Sequence, residues 1–256
     1  MRALLVLGAA GLLVAGCGGS GSSASPKDIA RAADRTAGAG SLEADFSVSG
    51  QGLSGSGSGV FNSSTDGTGQ VRMTLSAGGR QIPVETVISG DVFYLRSPAF
   101  AQALTRNKQW IKLDLKTLSS RTGNDLSGIL DASPTPANAL AYLRGSGRVD
   151  EVGSDRVGGA KTTHYDVTVN LDRAAEHARG STRDAVRGVI AQSGIKTLPL
   201  DVWVDGSGYI RKVSYEEHAG RRQAAQVTME LHDFGKRVSI TPPPKDSVVD
   251  LTRMAG

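Results

Sequence analysis

The sequence predicts an α+β domain: a strongly curved antiparallel sheet of about eleven strands with helices packed on its concave face. Three observations predict it. Apolar and polar residues alternate in short runs, the mark of strands with one wet face. The runs are divided by glycine-rich turns too short for parallel crossovers. Helical patterns occur only at the start, in the middle and late in the chain, and helices too small to fill the apolar face would leave a cavity there.

The chain opens on an apolar run from Leu4 to Gly16, behind the basic Arg2, that halts at the only cysteine, Cys17. A short apolar core with small residues before a cut site is a secretory signal, too short to span a bilayer as a mature helix. Val14-Ala15-Gly16-Cys17 resembles a bacterial lipobox, in which the cysteine sulfur takes a diacylglycerol and the signal is cut just before it. Residues 1–16 are therefore expected to be a lipoprotein signal, 17–25 a lipidated Gly/Ser tether, and 26–256 one domain. With a single cysteine no internal disulfide can form. Removing Arg2 with the signal leaves 28 Lys+Arg against 25 Asp+Glu, because the whole chain has 29 and 25. That mild surplus, with no basic arm or stripe, argues against a nucleic-acid partner.

Ser25-Pro26-Lys27-Asp28 starts a helix, with a serine cap, proline at the first helical position and an acid three residues after the cap. Ile29, Ala32, Ala33 and Thr36 form its apolar face. Strands follow: Leu42, Ala44, Phe46 and Val48 alternate with Glu43, Asp45 and Ser47; Gly57 to Asn62 come next; Val71, Met73 and Leu75 alternate with Arg72 and Thr74; Ile82, Val84, Thr86 and Ile88 flank Glu85. Val92 to Arg96 and Trp110 to Leu113 complete this meander, with Asp66-Gly67, Gly78-Gly79 and Gly90-Asp91 as its turns.

Between Ser97 and Gly147 the alternation breaks. A helix with Phe100 and Leu104, another turn of helix at Asn124 to Leu130, and a helix from Pro136 to Arg144 with Leu140 and Leu143 are expected to cap the sheet. A second strand series holds Val149 to Val152, then Tyr165, Val167, Val169 and Leu171 in alternation. Ser181 to Gln192 reads as an amphipathic helix. Leu198 to Val204, Tyr209 to Glu217 and Ala224 to Phe234 are strands, and Val248, Val249 and Leu251 pack back as a short edge.

No catalytic constellation stands out, and the chain is expected not to be an enzyme. Gly50-Gln51-Gly52-Leu53-Ser54-Gly55 matches a dinucleotide fingerprint only as a string, since a strand and not a helix follows it. Gly55-Ser56-Gly57-Ser58-Gly59 has glycine where a nucleophile elbow needs serine. His164, His177, His218 and His232 have no metal-ligand spacing, so neither a metal nor a cofactor is expected. Asp201-x-Trp203-x-Asp205-Gly206 lacks an oxygen ligand at Trp203 and reads as a turn, with Asp201 and Asp205 facing water. Trp110 and Trp203 are expected to cover a sheet edge, and His164 to sit on the surface of a strand.

A wider likeness runs through the chain. Beyond the lipobox, tether and helix, it rests on Phe46-Ser47-Val48-Ser49-Gly50, Gly59-Val60-Phe61, Trp110-Ile111-Lys112-Leu113 and Ala141-Tyr142-Leu143-Arg144-Gly145. Val152-Gly153 with Gly158-Gly159 before Thr163-His164-Tyr165, and Leu200 to Asp205, extend it. In this order they resemble the LppX/LprA-F-G lipoproteins of actinobacteria. The resemblance implies a LolA/LolB-like half-barrel, a large hydrophobic cavity, and a role in holding or carrying acyl lipids or glycolipids between plasma membrane and outer envelope. It also implies anchoring to the extracytoplasmic face of the cell membrane through Cys17, and in some members a neighbouring lipid transporter. On that reading the cavity is lined by Phe46 and Val48, Phe61, Val71, Met73 and Leu75, Val84 and Ile88, Val167 and Val169, Val202, and Val227 and Met229. Helices bearing Phe100, Leu104, Leu140 and Leu143 lid it, with its mouth near Ser97 to Gly128. Periodicity alone favours an ordinary solid core at the same positions, and a protein-binding sensor of the anti-sigma-holding type or a structural envelope lipoprotein remain alternatives.

Overall fold

A computed structural model of the chain describes residues 24–50, 52–62, 67–101, 108–122, 135–178, 180–219 and 222–253. Cys17, Leu104 and the helix expected at Asn124 to Leu130 lie outside the described residues, as does the side chain of Phe100. The first meander comprises β1 (Ser41–Gly50), β2 (Leu53–Asn62), β3 (Thr68–Ala77), β4 (Arg80–Ser89), β5 (Val92–Arg96) and β6 (Trp110–Asp114). The second comprises β7 (Ser146–Val157), β8 (Ala160–Asn170), β9 (Thr197–Asp205), β10 (Ile210–Ala219) and β11 (Arg222–His232), and β12 (Val248–Asp250) closes the chain. They form one curved, unclosed, 12-stranded sheet in the order β12-β6-β5-β4-β3-β2-β1-β11-β10-β9-β8-β7. Every pairing is antiparallel except β12 on β6. That strand brings the count to one above expectation, and it runs parallel because the chain reaches it by a long return from β11 and not by a hairpin.

The helices are α1 (Pro26–Ala37), α2 (Pro98–Ala101), α3 (Leu115–Thr122), α4 (Pro136–Leu143), α5 (Leu171–His177) and α6 (Gly180–Ser193). α1 begins where its cap predicts: the Asp28 carboxylate accepts from the Ser25 backbone N–H at 2.9 Å and from its hydroxyl at 2.7 Å. Its buried residues are the expected Ile29, Ala32, Ala33 and Thr36. The Thr36 hydroxyl donates to the Ala32 carbonyl at 2.8 Å and accepts from the Ile210 N–H at 2.9 Å, tying α1 to β10. α4 is buried nearly all round, through Ala139, Leu140, Ala141, Tyr142 and Leu143, and reaches solvent only at Ala137 and Asn138 in its first turn.

Two helices and several strand ends escape the sequence pattern: β7 runs from Ser146 to Val157 where Val149 to Val152 is expected, and β8 begins at Ala160 and not at Tyr165. Leu171 prolongs the alternation of β8, yet it is the first residue of α5, because the Asn170 side chain accepts from the Arg173 N–H at 2.8 Å and turns the strand into a helix. α3 follows β6 with no break in composition to announce it. β2 begins at Leu53 and not at Gly57, since a Gly-Ser alternation carries no apolar signal.

Register places the predicted inward residues on one face. Phe46 lies opposite Met229 and Val48 opposite Val227; Met229 is level with Val213, Val213 with Val202, and Met73 with Val84. Three consecutive inward positions of β2 are Gly55, Gly57 and Gly59, opposite Leu75, Met73 and Val71. A Cβ on Gly57 would stand 2.1 Å from the Arg72 carbonyl oxygen and 2.7 Å from the Met73 Cα. Cβ atoms of residues directly opposite in a flatter sheet stand about 5 Å apart, so β3 leans over the inner side of β2 and the sheet is creased there.

The outer face carries a polar row. Asp45, Ser58, Arg72, Glu85 and Arg96 are successive partners across β1 to β5. The Glu85 carboxylate accepts from the Gln70 amide at 2.8 Å and from Arg96, and faces Arg72 at 3.1 Å. Burial pushes the Glu85 carboxyl upward, but the hydrogen bonds from Gln70 and Arg96 and the two guanidinium charges outweigh it and hold the group below its ordinary value.

Gly57→Val should lower the unfolding free energy by more than about 2 kcal/mol in urea titrations, whereas Ser58→Ala on the open face should stay within about 0.5 kcal/mol. A wild-type midpoint for Gly57→Val would remove the crease. Glu85→Gln should destabilise by about 1–3 kcal/mol at pH 7. Because the folded pKa is depressed, the carboxylate's contribution is complete above the ordinary value of 4.5 and is lost as pH falls through the folded value. Wild type and variant should therefore converge in stability in acid, and a difference that persists undiminished to pH 2 would count against this network.

Candidate lipid-contact face

The expected lining residues are brought together on the inner face, but in two environments. Over β1 and β8 to β11, Phe46, Val167, Val169, Val202, Val227 and Met229 join Leu140 and Leu143 of α4 in one buried cluster. There α1, α4, α5 and α6 pack on one another and on β7, β8 and β10, and the expected lining positions are buried in that cluster. Phe61 packs edge-on to Phe46, with ring centroids 5.9 Å apart, and its ring lies over Gly59 and Gly69. Val48, Phe61, Val71 and Met73 are partly buried against the same cluster.

Over β3 and β4 the inner face is more open. Val71, Met73, Leu75, Ile82 and Val84 are all partly exposed, and Leu75, Ile82 and Val84 join neither buried cluster among the described residues. α2 is packed on β4 at this end. With the side-chain-free glycines of β2 beside them, these residues form an apolar trough. Ile88, by contrast, belongs to a small separate cluster with Phe93 and Leu115, so it closes the far end of the face and does not line the trough. Phe100, Leu104 and Cys17 cannot be assigned a place on it, their side chains lying outside the described residues.

A second concavity, of about 960 Å³, lies over the same strands on the outer face. Register identifies the face: the groove touches Phe46, Gly57, Met73 and Val84 together with the outward rows on either side of them, Asp45, Ser58, Arg72, Glu85 and Arg96, and Ser56, Thr74 and Pro83. The neighbouring inward rows do not line it. The backbone of the first set is thus its floor and the outward side chains its walls, with Ser97, Pro98, Lys108 and Gln109 at the end beyond β4. Arg96 lies over the Trp110 ring, 4.8 Å from its centroid, and Lys108 donates to the Asp246 carbonyl at 2.6 Å. This groove has no counterpart in the sequence reading, although the alternation that sends Arg72 and Glu85 outward was its available signal.

Other outward residues are more engaged than expected. Asp205 does not face water: its side chain is 7% exposed, pairs with Arg211 at 2.6 Å, and accepts from the Ser207 and Tyr209 N–H groups to form the β9–β10 turn. His164 is not a bare surface residue. It stacks on Trp203 at 4.1 Å with Nε2 2.7 Å from Asp201, while Lys212 lies 4.7 Å from the same indole. Trp203 thereby covers the outer face on an interior strand, between β8 and β10, and not a sheet edge as expected. Glu43, His232 and Asp233 bring one ligand atom each within 4.8 Å of one another, where no metal spacing was read from the sequence. The Lys236 ammonium already pairs with Asp233 at 2.8 Å, and the hydrogen bonds from Lys236 and His232 hold that carboxyl below its usual range. No helix among the described residues is long and apolar enough to cross a membrane.

No protein-family model matches the chain. A Streptomyces griseus protein of 31.2 kDa, encoded between rplA and rplJ, is 28% identical over 172 residues, 64% of this chain and 55% of its own length. A Streptomyces coelicolor protein that bears a lipoprotein name is 25% identical over 169 residues, 64% of this chain and 50% of its own. The chain thus spans about half the length of the curated relatives it matches. Among solved structures, the Mycobacterium tuberculosis lipoprotein LppX superposes with TM-score 0.51 and 14% identity, over 84% of this chain and 97% of LppX. LprF of Mycobacterium bovis superposes with TM-score 0.52 and 13% identity, over 86% of this chain and 99% of LprF. The chain has the fold of the LppX and LprF lipoproteins.

Proposed function

We propose that the protein is a lipoprotein that binds acyl chains on the inner face of its sheet, and that it holds or carries acyl lipids or glycolipids between the plasma membrane and the outer envelope. The observation that carries this reading is the trough of Val71, Met73, Leu75, Ile82 and Val84, an apolar surface left partly exposed beside a fully packed core. Exposing an acyl chain to water costs about 0.8 kcal/mol per methylene, so a surface that removes several methylenes from water holds a lipid firmly. Its lining is aliphatic, which suits flexible chains better than flat aromatic ligands. Catalysis has no part in the reading.

Cys17 is the anchor. Its thiol receives the diacylglycerol, and the Gly/Ser tether behind it, which extends to about 25 Å, keeps the domain beside the membrane that supplies the lipid. A membrane lipid transporter on the same face is the partner that the resemblance implies.

Native mass spectrometry of protein purified from its own envelope should find co-purified acyl lipids, and a repeatedly empty protein would end the carrier reading. Leu75→Asp and Val84→Asp, each placing a charge in the trough, should weaken fatty-acid probe binding by about tenfold or more without loss of the folded circular-dichroism signal. Cys17→Ser should leave probe binding intact while moving the protein from the membrane to the soluble fraction on cell fractionation. Equal membrane retention of that variant would show that the anchor lies elsewhere.

A further inference from the structure

Between Ser54 and Gly59, β2 carries no side chain larger than a hydroxymethyl group. Its register turns every serine outward: Ser54, Ser56 and Ser58 stand opposite Ser49, Ser47 and Asp45 of β1, and opposite Ser76, Thr74 and Arg72 of β3. The crease accounts for glycine on the inner side, but it makes no demand on the outer side, where all three serines are exposed. Strands favour β-branched and aromatic residues, which cover the sheet. Serines instead leave the backbone of β2 as the bed of a valley between Asp45 and the longer side chains of β3 and β4, and this valley is the outer groove.

The groove is graded in charge. At the β1 end stands Asp45, whose side chain is 63% exposed. At the other end Arg72 and Arg96 share the one carboxylate of Glu85, and the Lys108 ammonium donates to a neutral partner, the Asp246 carbonyl. Three cations around one carboxylate leave that end positive. Arg72 and Arg96 are 69% and 45% exposed, so both guanidiniums remain open to a ligand. From β1 to β4 the groove crosses three strand spacings, about 14 Å. That length and a volume of about 960 Å³ exceed what one small anion fills.

We propose that the outer groove binds a short stretch of an anionic polysaccharide, with sugar hydroxyls along the serines of β1 and β2 and a carboxylate at Arg72, Arg96 and Lys108. The site lies on the opposite side of the sheet from the trough and is independent of lipid binding. A serine or threonine hydroxyl both donates and accepts, so it pairs with a sugar hydroxyl in either sense. A guanidinium holds a carboxylate through two parallel N–H groups. Asp45 accepts from hydroxyls and repels closely spaced anions, which favours a chain whose charges are separated by neutral sugars. Among the lining residues only Pro83 and Pro98 set apolar side chains on the walls, so a peptide with large apolar anchors finds no pocket here.

The test is calorimetric titration of the full mature chain with a hyaluronan tetrasaccharide, in which uronates alternate with neutral sugars, with the neutral chitotetraose, and with free glucuronate, all at one salt concentration. The hyaluronan tetrasaccharide should bind at least about tenfold more tightly than either of the others. Arg72→Gln and Ser56→Asp should each weaken it by about tenfold or more, while fatty-acid probe binding stays within about twofold of wild type. Two variants on different strands are used so that a loss of fold in one, read from its urea midpoint, leaves the other decisive. Free glucuronate binding as tightly as the tetrasaccharide would reduce the groove to a simple anion site and overturn the proposal. Equal binding of chitotetraose, wild-type affinity in both folded variants, or no binding of the hyaluronan tetrasaccharide would overturn it as well. The fatty-acid probe is read separately, so none of these results bears on the lipid-binding reading.

Discussion

The fold depends on the double pairing of β1. That strand accepts β2 on one side and β11 on the other, and it is the seam along which two meanders become one sheet. The pairing works only in a register that sends Phe46 and Val48 to the same side as Met229 and Val227. A slip by one residue would exchange them for Asp45 and Ser47 and bury a row of charges. Because both neighbours impose the same requirement, β1 transmits one inside and one outside across all twelve strands.

From that seam the two halves differ. On the β11 side the inward rows carry full side chains, and α4 fills the space above them, so the face closes into core. On the β2 side the inward positions are glycines, and the neighbouring strand closes in where side chains would have stood. Glycine in a strand ordinarily weakens it, through backbone entropy and lost packing. Here that loss is coupled to curvature: only a residue without a Cβ tolerates a carbonyl at the distance seen at Gly57. The aliphatic residues beyond the crease, on β3 and β4, remain partly exposed, with Val71 and Met73 packed against the core cluster and Leu75, Ile82 and Val84 in no buried cluster among the described residues.

The outer face is equally organised, though by charge. The network of Arg72, Glu85 and Arg96 crosslinks β3, β4 and β5 in the creased half, while the stack of His164, Trp203 and Lys212 crosslinks β8, β9 and β10 in the other. Exposed ion pairs contribute little each. Glu85 differs because it is largely buried beneath its two arginines and Gln70, so its hydrogen bonds are made in a drier setting.

Most of the strand layout was legible in the sequence, and so was the inward set, from Phe46 to Met229. The misses were local: Leu171 continued a strand pattern until Asn170 capped a helix, and the Gly-Ser stretch of β2 concealed half a strand. The candidate site was legible only as a list of positions. The sequence by itself determined which face each strand residue takes, because a period of two is a property of the extended chain and needs no partner. Tertiary structure alone decided which inward residues became core and which became trough, and that Arg72 and Arg96 converge on Glu85. Both follow from how closely strands and helices remote in sequence approach one another, and local periodicity carries no record of that distance.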